Sequence, residues 1–281
     1  MKNSIKTIIG KKPGKIISIL AGIHGDETCG IEAFRSLIPT LSIERGKVHF
    51  IYGNLRAIKQ KTRFVEMNLN RAFKSEEMLS KEEVGSYERK RAKEIMTYLD
   101  ESEASLDIHS SETKNSSPFI ICEPKSFHIA ERLSFPIKSY GWDDLEPGGT
   151  DYYMNKKGGL GLCIECGYHL DISSVEVAKQ AMMDFMILNN VISGILPKKN
   201  KKQKTIHAYE IYHTKNNFIP EKIFSDFQKL KEGEFLGQDG DKKIYAPQGR
   251  ANLIIFCRKR DAPGKEAFIL GRETNLTNIK Q

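Results

Sequence analysis

Short apolar runs alternate with longer amphipathic ones through most of this 281-residue chain, and that alternation narrows its possible folds more than any other feature. Residues 15–21 (Lys-Ile-Ile-Ser-Ile-Leu-Ala) lack the polar break at every second position that marks a half-exposed strand. Such a run reads as a strand buried on both faces, as in a parallel sheet covered by helices. Residues 48–52, 105–109, 119–122 and 161–166 read as further strands, and 28–37 as a helix. The stretch 81–99 reads as one long charged helix with Val84, Tyr87, Ile95 and Leu99 along its apolar side. Ser173 and Glu176 have the spacing of a capping box, and an apolar series from Val177 to Ile192 runs on to the stop signals Gly194 and Pro197. Strands alternating with helices predict an α/β fold with a mostly parallel, mixed central sheet flanked by helices.

Beyond residue 197 the texture changes. The segment Lys198-Lys199-Asn200-Lys201-Lys202-Gln203-Lys204 leads into short β-like runs at 208–213, 243–246, 252–257 and 267–270, with glycine and proline turns between them. The expected organisation is an α/β domain over 1–197 and a small all-β domain over 205–281. The lysine segment holds much of the net charge of +8. No aromatic residue interleaves it and no nucleic-acid motif flanks it, so it reads as a solvated linker. No run approaches the ~20 apolar residues of a membrane span, and the polar, basic start does not read as a secretory leader. Nucleic-acid and membrane partners are therefore not expected; a homo-oligomer is left open. The five cysteines, Cys29, Cys122, Cys163, Cys166 and Cys257, are odd in number and scattered, which reads as reduced thiols in a cytoplasm. Cys163 and Cys166 have redox-pair spacing. On a strand, however, residues three apart point to opposite faces, so they read as buried small side chains.

Two strand ends carry metal-competent side chains. Residues 15–21 run into Gly22-Ile23-His24-Gly25-Asp26-Glu27, and 105–109 ends in Asp107-Ile108-His109. Open α/β sheets bind ligands at the carboxyl ends of their strands, which brings His24, Glu27 and His109 to one edge. Two imidazoles and one carboxylate suit zinc, and this is the ligand type of catalytic sites that keep a position open. Asp107 shares a strand face with His109, either to orient it or as a strand-end hydrogen bond. Glu165 stands inside an otherwise apolar strand, where an unpaired carboxylate is costly; it reads as a general base beside a metal or as half of an ion pair. Residues 63–73 form a polar, loop-like segment. Its arginines and asparagines, among them Arg63, Asn70 and Arg71, can clamp a carboxylate or polarise a carbonyl.

In order, His24-Gly25-Asp26-Glu27, Asn68-Leu69-Asn70-Arg71, Asp107-Ile108-His109 and Glu165-x-Gly167 resemble the aspartoacylase and succinylglutamate desuccinylase family, part of the wider zinc carboxypeptidase group. Residues 230–271, with Ala246-Pro247-x-Gly249 and Glu266-Ala267-Phe268, resemble that family's small β domain. The resemblance implies one zinc ion on His24, Glu27 and His109, with Glu165 as general base and then acid. It further implies Arg63 on the amide carbonyl, and Asn70 with Arg71 on the amino-acid carboxylate. The implied reaction is hydrolysis of a small N-acyl amino acid; the alternative within the same fold is a carboxypeptidase-like cut of a short peptide or modified amino acid. Two positions depart from the family. Asn68 replaces a usual aspartate. Asn155, followed by Lys156 and Lys157, stands where aspartoacylases place an arginine for a second carboxylate, which implies a best substrate other than N-acetylaspartate.

Overall fold

The computed structural model describes residues 4–114, 116–249 and 251–275. The chain divides into two compact units, Met1–Lys138 with Glu146–Gln203, and Ser139–Leu145 with Lys204–Gln281. In chain order the elements are β1 (Ile5–Ile9), β2 (Lys12–Ala21), α1 (Cys29–Leu37), β3 (Arg45–Tyr52), α2 (Leu55–Gln60), α3 (Lys81–Gly85), α4 (Tyr87–Glu101), β4 (Ala104–Ser111), β5 (Phe119–Cys122), α5 (Phe127–Ala130), β6 (Ile137–Tyr140), α6 (Trp142–Leu145), α7 (Thr150–Lys156), β7 (Leu160–Tyr168) and α8 (Ser173–Leu188). Strands β8 (Lys204–His213), β9 (Phe218–Pro220), β10 (Gln228–Leu230), β11 (Phe235–Asp239), β12 (Lys242–Tyr245), β13 (Asn252–Cys257) and β14 (Glu266–Glu273) follow.

In the first unit, β3, β2, β4 and β7 lie side by side in parallel. β1 runs antiparallel against β3, and β5 antiparallel against β7. This is the expected mixed sheet. Its centre is dry on both faces: Ile17, Ser18, Ile19, Leu20 and Ala21 are all fully buried. Leu20 and Ala21, being neighbours on a strand, point to opposite sides. Leu20 joins Ile51 in a core with Ala92, Ile95 and Leu99 of α4. Ala21 and Ile108 instead meet α1, where Gly30 comes so close that an added Cβ would stand 2.9 Å from each side chain. Helices therefore cover both faces, α4 on one and α1 with α8 on the other.

Two local expectations fail. The stretch 81–99 is two helices, because Ser86 adopts extended backbone (φ −66°, ψ 159°) and its side chain accepts from Arg89 N, starting a new helix. The predicted apolar side is also wrong in part: Glu88, Arg89 and Arg91 are buried alongside Ala92, Ile95 and Leu99. At α8 no capping box forms; Asp171 accepts from Ser173 N instead (2.9 Å).

Among its described residues the second unit is all-β apart from α6. It contains the antiparallel run β8–β14–β13–β10 and the antiparallel three-stranded sheet β12–β11–β9. Phe218, Phe224, Leu236, Ile254 and Phe268 fill its core. Tyr212 stacks on Phe268 with ring centroids 4.9 Å apart, and its hydroxyl donates to Asp239 (2.9 Å).

Candidate metal centre

Strand register puts the site at one end of the parallel strands. Ala21 pairs with Ile108, and His109 pairs with Glu165, so β2, β4 and β7 reach the same level. The chain leaving β2 turns at Gly22, whose φ of +72° favours glycine. It then folds tightly, with Glu27 N donating to His24 O, before α1 begins. Gly25, inside that turn, packs directly on the backbone of α2 and donates to Arg63 O (3.2 Å).

His24, Glu27 and His109 converge here, one donor atom from each lying within 4.8 Å of the others, and all three are buried. Glu27 Oε1 meets His24 Nδ1 (2.8 Å) and accepts from Arg63 Nη1 (2.9 Å). Its Oε2 meets His109 Nδ1 (2.9 Å) and accepts from Ser110 N (3.1 Å). The two Nδ1 atoms are 3.2 Å apart.

The outer nitrogens decide what this arrangement can hold. His24 Nε2 faces Asn68 Oδ1 at 3.0 Å. That Asn68 atom also accepts from Asn70 N (2.9 Å), so it is the carbonyl oxygen. His109 Nε2 faces Asp107 Oδ2 at 3.1 Å, and the same oxygen accepts from Thr150 Oγ1 (2.6 Å). A proton on each Nε2 would leave both Nδ1 atoms as electron-pair donors directed at one another and at the Glu27 carboxylate. Two imidazole Nδ1 atoms and a carboxylate facing one another, with Asn68 Oδ1 bonded behind His24 and the Asp107 carboxylate 3.1 Å behind His109, fit a divalent cation of the zinc type.

Titration tendencies reflect the same charges. Burial lowers the His24 pKa, and Arg63 adds to this while Glu27 opposes it. Burial resists ionisation of Glu27, but His24 and His109 outweigh it and hold the carboxyl well below its usual range. At His109 burial also disfavours the charge, yet Asp107, Cys163 and Glu27 together raise the pKa well above that of a free imidazole.

Arg63 thus reaches the centre through Glu27, with about half of its side chain open to solvent (51 %). Asn70 and Arg71 lie on a short 3₁₀ turn, Leu69–Arg71, immediately after Asn68. Met67, Leu69, Ala72 and Phe73 anchor that turn in the core under α4; burying a leucine or phenylalanine contributes about 1.5–3 kcal/mol each. Arg71 Nη2 pairs with Glu146 (2.5 Å), a partner with no signal in the sequence. Glu165 sits beside His109 on β7, between two cysteines that are both buried and free.

Asn155 is not part of the site. It lies in the last turn of α7, and its Oδ1 accepts from Gly161 N (3.2 Å) near the start of β7. Gly161 and Glu165 are four residues apart on that strand, roughly 13 Å at ~3.3 Å per residue. Lys157 serves the carbonyls of Leu99, Asp100 and Ser102, at the strand-start end. Phe268 is a core ring of the second unit. Sequence reading also missed Asn68 and Thr150 as partners of the site, and Glu88. Glu88 carried a signal: it shares a helical stripe with Ala92, Ile95 and Leu99, where a charge needs a partner.

Residues 13–191 match the family model for the succinylglutamate desuccinylase/aspartoacylase catalytic domain. The succinylglutamate desuccinylase of Shewanella woodyi is 25% identical, over 95% of this chain and 84% of that protein. That of Pseudoalteromonas atlantica is 26% identical, over 94% and 83%. Among solved structures, succinylglutamate desuccinylase from Vibrio cholerae superposes with a TM-score of 0.77 at 20% identity, covering 97% of this chain and 86% of that one. The product-bound ectoine utilization protein of Ruegeria pomeroyi gives 0.74 at 18% identity, over 95% and 88%. With the family match spanning well over half its length, the chain belongs to the succinylglutamate desuccinylase/aspartoacylase family.

Proposed function

We propose that this protein is a zinc-dependent amidohydrolase that cleaves a small N-acyl amino acid into a carboxylate and a free amino acid. One observation carries the reading: two imidazole Nδ1 atoms and the Glu27 carboxylate, all buried, converge on one point at the carboxyl ends of the strands. His24, Glu27 and His109 would hold the metal. When bound, zinc supplies a Lewis acid that activates water and polarises a carbonyl.

The chain's own residues do the rest. Asn68, accepting from His24 Nε2, keeps that imidazole in the tautomer that presents Nδ1 inward, and the Asp107 carboxylate faces His109 Nε2 from 3.1 Å. Glu165, beside His109, takes a proton from the attacking water and delivers it to the departing amine nitrogen. Arg63 has N–H groups open to solvent beyond the one on Glu27, and these donate to the amide oxygen as it gains negative charge. Asn70, through its side-chain NH₂, and Arg71, through its guanidinium, donate to the carboxylate of the amino-acid moiety.

We assign the reaction to the α/β domain over 1–197, and place the enzyme in a reducing compartment such as the cytoplasm, in keeping with five free cysteines. Among the described residues no helix is long and apolar enough to cross a membrane. The test is hydrolysis by zinc-loaded protein of N-acetyl, N-formyl and N-succinyl amino acids against short peptides. Turnover of the acyl amino acids, abolished by chelation, is expected; cleavage of the peptides alone would replace this reading with the carboxypeptidase-like one.

A further inference from the structure

Residues 63–71 supply Arg63, Asn68, Asn70 and Arg71, yet most of this stretch is irregular backbone. Something must hold it to the tolerance that chemistry needs. α4 does so with side chains of matched polarity. Glu88 is fully buried and points its carboxylate at the chain between Arg63 and Asn68. Oε1 accepts from Val65 N (2.8 Å), and Oε2 from Glu66 N (3.2 Å) and Met67 N (3.2 Å). Oε1 also accepts from Asn54 Nδ2 (2.9 Å), and Asn54 caps α2, the helix on which Gly25 rests. Next to it Arg89, 5 % exposed, donates to Ala72 O (2.6 Å) and Lys74 O (2.8 Å). The acidic residue thus grips N–H groups before the substrate-binding turn, and the basic residue grips carbonyls after it. The loop answers in kind, since Tyr87 N donates to Glu66 Oε2 (2.7 Å).

We infer that Glu88, seconded by Arg89, is a positioning residue for the substrate-binding segment, fixing Arg63 on one side and Asn68 to Arg71 on the other. A carboxylate suits three successive N–H donors because it only accepts. Glutamine there turns an NH₂ toward at least one of them and leaves a buried donor unpaired. This inference rests on the roles proposed for Arg63 and Arg71. Its first test is therefore independent of activity.

Amide hydrogen exchange is measured in Glu88→Gln and in the parent protein. Exchange at residues 65–67 should accelerate by about tenfold or more relative to the β4 amides, as expected of a local opening. Unchanged protection at 65–67 overturns the inference even if the enzyme has lost activity. The second test is a double-mutant cycle with Arg63→Lys, with kcat expressed per folded enzyme. Glu88→Gln alone should lower kcat by roughly 100-fold, the cost of a misplacement of about 1 Å. In the Arg63→Lys background the same change should cost clearly less than in the parent, because residues acting as a unit are non-additive. A full, additive loss in that background, or a kcat within about threefold of the parent in Glu88→Gln alone, overturns it. If Glu88→Gln does not fold, Glu88→Asp, which keeps the charge and shortens its reach, goes through both measurements. Should the parent hydrolyse nothing on the substrate panel, the proposed reaction fails and the exchange result alone decides the inference.

Discussion

Replacing Gly25 by alanine should loosen the metal centre although the new methyl group touches no ligand. An added Cβ would stand 2.1 Å from Ala57 C, 2.3 Å from Ile58 N and 2.5 Å from Ala57 O. These are backbone atoms of α2, and Ala57 is fully buried, so no flexible side chain can swing aside. Reaching a carbon contact of about 3.5 Å requires a separation of roughly 1.4 Å. If α2 and the 22–27 turn share it, His24 and Glu27 move by about 0.7 Å relative to His109, well beyond the ±0.2 Å within which metal distances normally fall. Zinc affinity should drop by about 10–100-fold, comparable to losing an outer hydrogen-bond partner of a ligand. Overpacking should also cost about 1–3 kcal/mol of stability. Chelator competition measures the first, and thermal unfolding in chelator the second. Gly85→Ala is the control: a Cβ there meets nothing within 4 Å, so zinc affinity should be unchanged. Wild-type zinc affinity in Gly25→Ala would refute the claim that this backbone approach sets the spacing of the ligands.

Three further outcomes are expected. Glu165→Gln should retain zinc and lose about 10²–10⁴-fold in kcat; retention of more than about a tenth of the activity rules Glu165 out as the base. Arg71→Lys should chiefly raise KM, since lysine cannot reproduce the planar contact, whereas Arg63→Lys should chiefly lower kcat; matching kinetics for the two variants contradict the division of roles. Burial disfavours the Asp239 carboxylate, but the Lys215 N–H, the Tyr212 hydroxyl and the Asn216 N–H outweigh it and hold its pKa below the usual value. A depressed pKa means stability that is present above the unfolded value of about 3.9 and lost as pH falls through the folded one. Asp239→Asn should therefore cost about 1–3 kcal/mol at neutral pH, and the variant's unfolding free energy should fall less steeply below about pH 4. An unchanged acid slope in denaturant titrations contradicts this.

The parts of the fold legible in the sequence were those set by burial on two faces. The apolar run at 15–21 could hardly be anything but a central strand, and the observed β2 is fully buried from Ile17 to Ala21. The metal-competent residues were legible for a related reason: strand ends in a parallel sheet converge, so His24 and His109 had to approach one another. What stayed hidden was polar satisfaction at a distance. Nothing local says that Glu88 serves amides more than twenty positions away, or that Glu146 pairs with Arg71 across 75 positions. Ser86 misled because a serine inside a charged stretch reads as one more helical surface residue, whereas its hydroxyl restarts the helix by capping Arg89 N.

Specificity is where linear counting failed most instructively. Ten residues before Glu165 is Asn155, but β7 is extended, so that count leads to the start of the strand and away from the metal end. The missing arginine at that position therefore carries no information about an aspartate side chain, and the expectation that N-acetylaspartate is a poor substrate loses its basis. On the proposed roles, the charge that bears on substrate choice is at Arg71. Its guanidinium is already balanced by Glu146, itself only 12 % exposed, so an incoming carboxylate meets little net positive charge there. Recognition at Arg71 must then rest on directional hydrogen bonds and on how the turn Leu69–Arg71 is held. If Arg71 takes the substrate carboxylate as proposed, α4 contributes to its recognition by holding the backbone on both sides of that turn through Glu88 and Arg89.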